Sequence, residues 1–292
     1  DIQEVIKTLK SDIIARGAKI SEFERKLSKF VGAKYAVAVN SATAGLHISC
    51  LALGVKKGDL VWTVPNTFAA TANAALYCGA KIDFVDIEYS TGNIDVNLLE
   101  DKLKNSKQKP RVLIPVHFAG QPTEQERILK LSKKYGFKII EDASHSLGAK
   151  RKNNLVGNCK FSQLTVFSFH PVKIITTGEG GMVTTNDKKL FSLLKIFRNH
   201  GVSRDLSIMK SKNNSKWYYE QLFLGYNYWT SDLNATLGIS QLNRVSRFVK
   251  KRNLIAKTYN KFLKGLPIEL PEVKKNNLSS HHLYIIKLKE NL

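Results

Sequence analysis

The sequence predicts an α/β fold in which helices cover both faces of a mainly parallel β-sheet. Short apolar segments alternate five times with segments of helical spacing, and parallel neighbours in a sheet require such crossover helices. The length of 292 residues favours one large domain joined to a smaller one. Ligands of this fold class bind beyond the carboxyl ends of the strands, so we expect the functional residues there.

The predicted elements follow from the spacing of apolar residues. Two helices are expected at 3–16 and 21–31, the second capped by Ser21 with Glu24 three residues on, as in a capping box. Buried strands follow, and the predicted strands are 35–39, 60–64, 81–85, 112–116, 138–140 and 164–169. The helices between them are predicted at 43–53, 69–78, 97–104 and 124–135.

The second half of the chain has a less regular pattern. A strand is predicted at 182–185 and a helix at 188–198, followed by a loop rich in Trp and Tyr at 217–229. Helical spacing returns at 234–263, and 282–288 has the pattern of a strand. That last strand has no later segment in the sequence with which to pair.

Composition narrows the class of protein. The net charge is +22, from 46 Lys and Arg against 24 Asp and Glu, which raises the alternative of a basic, non-enzymatic nucleic-acid-binding protein. The basic residues are scattered among Asn and Ser without aromatic interleaving, so no nucleic-acid partner is expected. Part of the charge is expected to attract an anionic substrate. Steep salt-dependent DNA binding without a cofactor spectrum would instead favour the alternative.

Cysteine content and hydropathy indicate the compartment. Cys50, Cys78 and Cys159 are odd in number and match no metal-ligand spacing, so we interpret them as reduced packing residues and expect no metal site. No apolar run reaches the roughly 18 residues of a membrane helix, and no signal-peptide pattern opens the sequence. These observations predict a cytoplasmic protein without a membrane partner.

Strand ends carry the candidate functional residues. Residues 40–45 place small side chains at a helix start, where free N–H groups suit a phosphate, although an ordinary N-cap explains Ser41 equally well. Asp142 directly follows a buried strand, and a carboxylate there either holds a protonated pyridine nitrogen or caps a helix. Residues 177–181 form a glycine-rich turn, but no GxGxxG is present, so a dinucleotide site is not indicated.

Lys173 enters a loop just after the strand 164–169 stops at Pro171. A lysine forms a Schiff base only as a neutral amine, which requires partial burial or a neighbouring cation. Emergence from a buried strand supplies such an environment. Among 46 basic residues, it is therefore position and not residue type that makes Lys173 the candidate Schiff-base lysine.

The candidate phosphate loop at 40–45, Asp142 and Lys173 follow one another in an order that is typical of a known enzyme family. The sequence resembles the DegT/StrS-type sugar aminotransferases, pyridoxal-phosphate enzymes of the aspartate-aminotransferase fold that aminate nucleotide-linked keto sugars. The most specific motifs lie at 141–148 and 168–181, and the similarity extends from residue 31 to residue 284. The resemblance implies pyridoxal phosphate as the cofactor and a large domain of PLP fold type I.

The resemblance also implies a role for individual residues. Lys173 would be the Schiff-base lysine and general acid–base, and Asp142 would pair with the pyridine nitrogen. The other implied cofactor contacts are Thr43, the Ala44 backbone and Ser168 at the phosphate, Phe68 stacked on the ring, His145 at the phenolic oxygen, and Asn227 reaching the phosphate from the neighbouring subunit of a homodimer.

Within the family, the chain is most similar to transaminases of the pseudaminic acid pathway. The segments 77–87, 92–95 and 197–201 suggest this narrower match. Those enzymes aminate a UDP-linked 4-keto-6-deoxy-N-acetylhexosamine with glutamate as the donor. The family usually has Arg where this chain has Trp229, so one polar contact to the substrate is expected to be missing.

The resemblance divides the chain into a PLP-binding large domain at 1–245 and the start of a small C-terminal domain at 246–292, which is expected to be truncated. Two alternatives keep the fold and cofactor: a sugar dehydratase, or an aminotransferase acting on a dTDP- or GDP-linked keto sugar. In the dehydratase branch a histidine replaces the Schiff-base lysine, so Lys173 favours transamination.

Overall fold

The computed structural model describes residues 1–289 except 212, 214 and 216. The described helices are α1 (Ile2–Leu9), α2 (Ala18–Val31), α3 (Ala42–Ala52), α4 (Ala69–Tyr77), α5 (Val96–Asn105), α6 (Gln125–Tyr135), α7 (Lys188–Arg198), α8 (Asp232–Leu242) and α9 (Val245–Phe262). The described strands are β1 (Tyr35–Val39), β2 (Leu60–Thr63), β3 (Lys81–Phe84), β4 (Val112–Leu113), β5 (Lys138–Asp142), β6 (Lys150–Arg151), β7 (Asn154–Leu155), β8 (Leu164–Ser168), β9 (Gly181–Thr185), β10 (Val202–Ser203), β11 (Glu220–Gln221), β12 (Ile268–Glu269), β13 (Asn277–Leu278) and β14 (Lys287–Leu288). A 3₁₀ turn lies at Phe118–Gly120.

Seven of the described strands form the central sheet, in the order β1-β9-β8-β5-β4-β2-β3. The strands from β8 to β3 pair in parallel, whereas β9 is antiparallel to both β1 and β8. Helices connect most of the parallel strands. The predicted α/β fold with a mainly parallel sheet is therefore confirmed.

Apolar side chains pack on both faces of this sheet. Along β1, Val37 and Val39 enter a buried cluster with α3 and α7, whereas Ala36 and Ala38 enter a second cluster with α2 and α8. The side chains divide in this way because successive residues of a strand point to opposite faces. Strands buried on both sides carry continuous apolar runs, which explains why the sequence pattern located them.

The N-terminal helices differ from the prediction. The helix expected at 3–16 ends as α1 before residue 10, and α2 begins three residues earlier than predicted, so the cap at Ser21 is wrong. Gly17 is the N-cap residue, and the Asp232 carboxylate accepts hydrogen bonds from the N–H groups of Gly17 (2.5 Å) and Lys19 (2.8 Å). A carboxylate distant in sequence thus satisfies the free N–H groups at this helix start.

Glu24 does not close a capping box either. Its Oε1 accepts hydrogen bonds from Arg198 Nη1 at 2.6 Å and from the Ala38 N–H at 2.9 Å. The Arg198 side chain is 2% exposed, and its guanidinium lies 3.8 Å from the ring centroid of Trp229. Burial lowers the pKa of Arg198, while the Glu24 carboxylate raises it. The buried pair therefore joins α2, β1 and α7.

We expect Glu24→Ala to lower the free energy of unfolding by about 3–5 kcal/mol, because it leaves a buried guanidinium without its counter-charge. Glu22→Ala on the same helix is the matched control. Glu22 pairs with Lys19 and Lys26 near the surface, and exposed ion pairs contribute about 0–1 kcal/mol. Urea denaturation measures both variants. Equal losses in the two variants would contradict the role given to the buried pair.

The C-terminal elements also differ from the prediction. The helix expected at 234–263 is interrupted at 243–244, between α8 and α9. The strand expected at 282–288 is reduced to β14, which pairs with the earlier strand β12. The N–H of His282 donates to the Ala119 carbonyl at 2.9 Å. Because this N–H group is bonded to the 3₁₀ turn, it is not available to a neighbouring strand, and the segment does not form a strand from 282 onward.

The predicted domain boundary at 245 coincides with the first residue of α9. Beyond it, the described chain forms α9 and the short strands β12, β13 and β14, of which β13 pairs with β6. The division into two domains stays a prediction. Among the described helices, none is both long enough and apolar enough to cross a membrane.

Candidate active site

The candidate residues meet at one edge of the central sheet. Val39, Gly181 and Ser168 lie side by side across β1, β9 and β8, and Asp142 pairs with Val166 of β8. The strands β1, β8 and β5 run in the same direction, so their carboxyl ends share this edge. The loops that leave this edge carry the predicted phosphate loop and the candidate lysine.

The N-terminus of α3 offers backbone donors at this edge. Ser41 Oγ accepts a hydrogen bond from the Ala44 N–H at 3.1 Å, so one predicted phosphate donor already has a partner. The N–H of Thr43 makes no hydrogen bond to another described residue. A Cβ on Gly181 would lie 2.7 Å from backbone atoms of Ser41 and Ala42. Glycine therefore lets β9 approach the helix start, which presents a free N–H at its positive end.

Asp142 is buried at the end of β5. Its Oδ2 accepts a hydrogen bond from Thr71 Oγ1 at 2.7 Å. Its Oδ1 accepts from the Ser144 hydroxyl at 2.6 Å and from the Ser144 N–H at 3.1 Å. A carboxylate accepts about four hydrogen bonds. These three donors orient Asp142 and leave it the capacity to bind a further donor.

Lys173 lies half-buried in the turn that follows β8. Its N–H donates to the His170 carbonyl at 2.9 Å, which closes the turn. Its Nζ lies 3.5 Å from His282 Nε2. Burial lowers the pKa of Lys173, while the Asp142 carboxylate raises it. The two residues thus interact electrostatically, and burial shifts Lys173 toward the neutral amine that a nucleophile requires.

Two imidazoles lie beside Lys173. The ring centroids of His145 and His282 are 4.4 Å apart. Burial, with a smaller effect of the Lys173 charge, lowers the pKa of His145 to about 4. Burial and then His145 lower the pKa of His282 to about 3. Both rings are therefore neutral near pH 7, and the Nδ1 of each is buried without a hydrogen-bond partner among the described residues.

His282 is a site residue that the sequence did not predict. It lies in a polar segment that follows no buried strand, and the sequence pattern placed it inside a strand. The sequence shows two adjacent histidines, His281 and His282. Their adjacency alone does not indicate which distant residue either of them contacts. Only the crossing of this segment over the 3₁₀ turn brings His282 to Lys173.

Phe68 and Asn227 lie at the margin of the site. Phe68 immediately precedes α4 and is 77% exposed, so its ring is free to stack on a ligand. The carbonyl of Asn227 accepts a hydrogen bond from Asn40 Nδ2 at 3.4 Å, which places its backbone near the phosphate loop of its own chain. The predicted contact of Asn227 with the phosphate of a neighbouring subunit stays a prediction.

The residues present fit pyridoxal phosphate. Asp142 has capacity for a protonated ring nitrogen, and the unpaired Nδ1 of His145 suits the phenolic oxygen. The free N–H of Thr43 at the start of α3 suits the phosphate. The exposed ring of Phe68 suits the flat face of the cofactor. Each of these groups has the capacity for a partner that the cofactor would supply.

Comparison with known proteins identifies the family of the chain. The model of the DegT/DnrJ/EryC1/StrS aminotransferase family matches residues 1–292. A UDP-4-amino-4,6-dideoxy-N-acetyl-beta-L-altrosamine transaminase of Campylobacter jejuni is 43% identical over 289 residues. This match covers 99% of the present chain and 73% of the relative.

Solved structures agree with the family match. Helicobacter pylori PseC, an aminotransferase involved in the biosynthesis of pseudoaminic acid, has a TM-score of 0.90 at 33% identity, over 99% of this chain and 75% of that one. The PLP form of Spr1654 from Streptococcus pneumoniae has a TM-score of 0.87 at 29% identity, over 99% and 75%. The chain therefore belongs to the DegT/DnrJ/EryC1/StrS aminotransferase family, whose cofactor is pyridoxal phosphate.

Proposed function

We propose that this aminotransferase aminates a UDP-linked 4-keto-6-deoxy-N-acetylhexosamine with glutamate, in the cytoplasmic synthesis of a pseudaminic-acid-type amino sugar. The observation that carries the aminotransferase chemistry is the position of Lys173, half-buried in the turn after β8, where the Asp142 carboxylate raises its pKa and burial lowers it. The proposed sugar is supported by the 43% identity to the Campylobacter jejuni transaminase, whose name specifies a UDP-linked 4-amino-4,6-dideoxy-N-acetyl sugar.

The arrangement assigns a task to each side chain. When bound, pyridoxal phosphate supplies a carbonyl that takes up the amino group and a ring that accepts electrons from the reacting carbon. Asp142 holds a negative charge for the ring nitrogen, and its two hydroxyl partners keep it oriented. Lys173 Nζ is placed to accept and return the transferred proton.

A substrate panel tests the proposed sugar. The protein, supplied with pyridoxal phosphate and glutamate, is incubated with UDP-, dTDP- and GDP-linked 4-keto sugars, and mass spectrometry detects the products. We expect the 4-amino product to form with the highest kcat/KM from the UDP-linked N-acetyl sugar. The Lys173→Ala protein controls for amination without enzyme. Preference for a dTDP or GDP sugar would replace the proposed substrate, and loss of water without amination would favour the dehydratase.

We also propose a homodimer in which each phosphate site is completed by Asn227 of the partner subunit. The segment 217–229 is the proposed interface, because it exposes large apolar side chains, with Trp217 at 72% and Leu224 at 75% exposure. Such an apolar patch on a polar surface is typical of an interface. In a dimer with a two-fold axis, each site would receive the same residue from the other subunit.

Mixing two inactive proteins tests whether the sites are shared. A heterodimer of Lys173→Ala and Asn227→Asp chains would contain one site with both lesions and one with neither, if Asn227 acts across the interface. We therefore expect about half of wild-type activity per heterodimer. Each variant alone is the control, and native mass spectrometry verifies subunit exchange. Exchange without recovered activity would place Asn227 in the site of its own chain.

A further inference from the structure

His282 is held in place by two other parts of the chain. Its N–H donates to the Ala119 carbonyl at 2.9 Å, and the Ser280 N–H donates to the Gly120 carbonyl at 3.0 Å. Arg252 of α9 donates to the His282 carbonyl at 3.3 Å. A Cβ on Gly120 would lie 2.9 Å from the backbone of the crossing segment, so glycine allows this close approach. The backbone of His282 is therefore held on both sides of the residue.

The imidazole of His282 contacts two residues of the site. Its Nε2 lies 3.5 Å from Lys173 Nζ, and its ring centroid lies 4.4 Å from that of His145. The titratable groups that act on it are His145 after β5, Lys173 after β8 and Arg252 on α9. Together with burial, they keep the His282 imidazole neutral near pH 7.

The direction of their hydrogen bond depends on the protonation of the two partners. Burial lowers the pKa of Lys173, while the Asp142 carboxylate raises it. In its charged form the lysine donates only, and a neutral imidazole has one donor and one acceptor nitrogen. When Lys173 is charged, Nε2 is therefore the acceptor and the proton lies on Nδ1, which makes no hydrogen bond to a described residue.

We propose that His282 is a positioning residue for Lys173, whose Nζ donates a hydrogen bond to His282 Nε2 in the Nδ1–H tautomer. The contact holds the free amine near His145 before the cofactor attaches. Orienting a flexible lysine in advance removes part of the entropy cost of reaching the reactive geometry. The inference rests on the proposed function in one respect, which is that Lys173 is the reacting amine.

Two substitutions separate positioning from folding. His282→Gln keeps an acceptor oxygen near the place of Nε2, whereas the shorter side chain of His282→Asn does not reach Lys173. His281→Asn is the matched control, because Arg252 and not Lys173 is the charged group that acts on the neighbouring imidazole. Circular dichroism and thermal melting verify that each variant is folded.

The first measurement follows the titration of Lys173. The full chain without cofactor is labelled with trinitrobenzenesulfonate at a series of pH values, and peptide mapping quantifies the label on Lys173. A hydrogen bond to the ammonium favours the charged form, so its loss in His282→Asn is expected to lower the labelling midpoint by about one pH unit. We expect His282→Gln and His281→Asn to keep the wild-type midpoint.

Two results of this measurement would overturn the proposal. One is an unchanged midpoint in folded His282→Asn, which would show that the contact does not act on the Lys173 amine. The other is an equal shift in His281→Asn, which would show that any change in the crossing segment alters the site.

The second measurement is made on the wild-type chain, so it does not depend on whether His282→Asn folds. Nitrogen-15 NMR of the wild-type chain labelled at histidine reports the tautomer of His282, whose signals are assigned by their absence in His282→Gln. We expect the proton on Nδ1 near pH 7, and a proton on Nε2 would refute the proposal. Neither measurement uses a sugar, so a wrong substrate assignment would leave both results unchanged.

Discussion

Replacing Lys173 with alanine is expected to lower the transamination rate by at least about 10⁴-fold, because it removes both the covalent attachment and the general acid–base. Borohydride treatment of the yellow wild-type protein is expected to fix a pyridoxyl group on Lys173. The alanine variant is expected to carry no such group. Steady-state kinetics and peptide mapping measure the two effects separately.

Lys189→Ala is the matched control for this experiment. Lys189 is exposed at the start of α7, so its loss is expected to leave both the rate and the fixed pyridoxyl group unchanged. A pyridoxyl group on any lysine other than Lys173 would show that the reacting amine has been misplaced. In that case the proposed function loses the observation on which it rests.

Asp142→Asn is expected to retain the attachment of the cofactor at Lys173 while the rate falls on the order of 10²- to 10³-fold. A neutral amide does not hold a protonated ring nitrogen, although it keeps the size of the side chain. The substitution also removes the charge that raises the pKa of Lys173. The pKa of Lys173 is therefore expected to fall further, so that its labelling midpoint moves to lower pH.

Thr71→Val and Ser144→Ala are the controls for the Asp142 variant. Each removes a hydroxyl that orients the carboxylate but keeps its charge. Loss of one neutral hydrogen bond costs about 0.5–1.5 kcal/mol, which corresponds to a rate loss of about 2- to 10-fold. If Asp142→Asn reacted as fast as these controls, its role would be to cap the chain after β5 and not to hold the ring nitrogen.

In the first part of the sheet, strand starts were predictable to the residue, whereas the later strands predicted from 182 and 282 begin at Gly181 and Lys287. The six strands predicted between residues 35 and 169 all begin where the structure begins them. Most of these strands carry a buried apolar run that follows a polar turn, and this change in pattern is visible in sequence. The strand expected at 112–116 ends as β4 at Leu113, because Pro115 has no N–H to continue the ladder.

The same reasoning explains which site residues were predictable. Asp142 ends the strand β5 and Lys173 follows the strand β8, so the sheet alone places them at one edge. Partners distant in sequence were not predictable, such as Arg198 with Glu24, which are 174 positions apart. His282 lies 109 positions from Lys173. Local spacing determines where an element starts, but it carries no information on which remote side chain will meet it.

The antiparallel strand β9 has a consequence for how the protein is made. Among the described strands of the central sheet, β1 has β9 as its single neighbour, and Tyr35 lies opposite Thr185. A nascent chain therefore exposes the apolar strand β1 without its partner until Gly181 to Thr185 have left the ribosome. Such remote pairing slows folding and leaves an edge open to aggregation. The start of α3 gains its supporting strand in the same late event, because Gly181 of β9 lies against the backbone of Ser41 and Ala42.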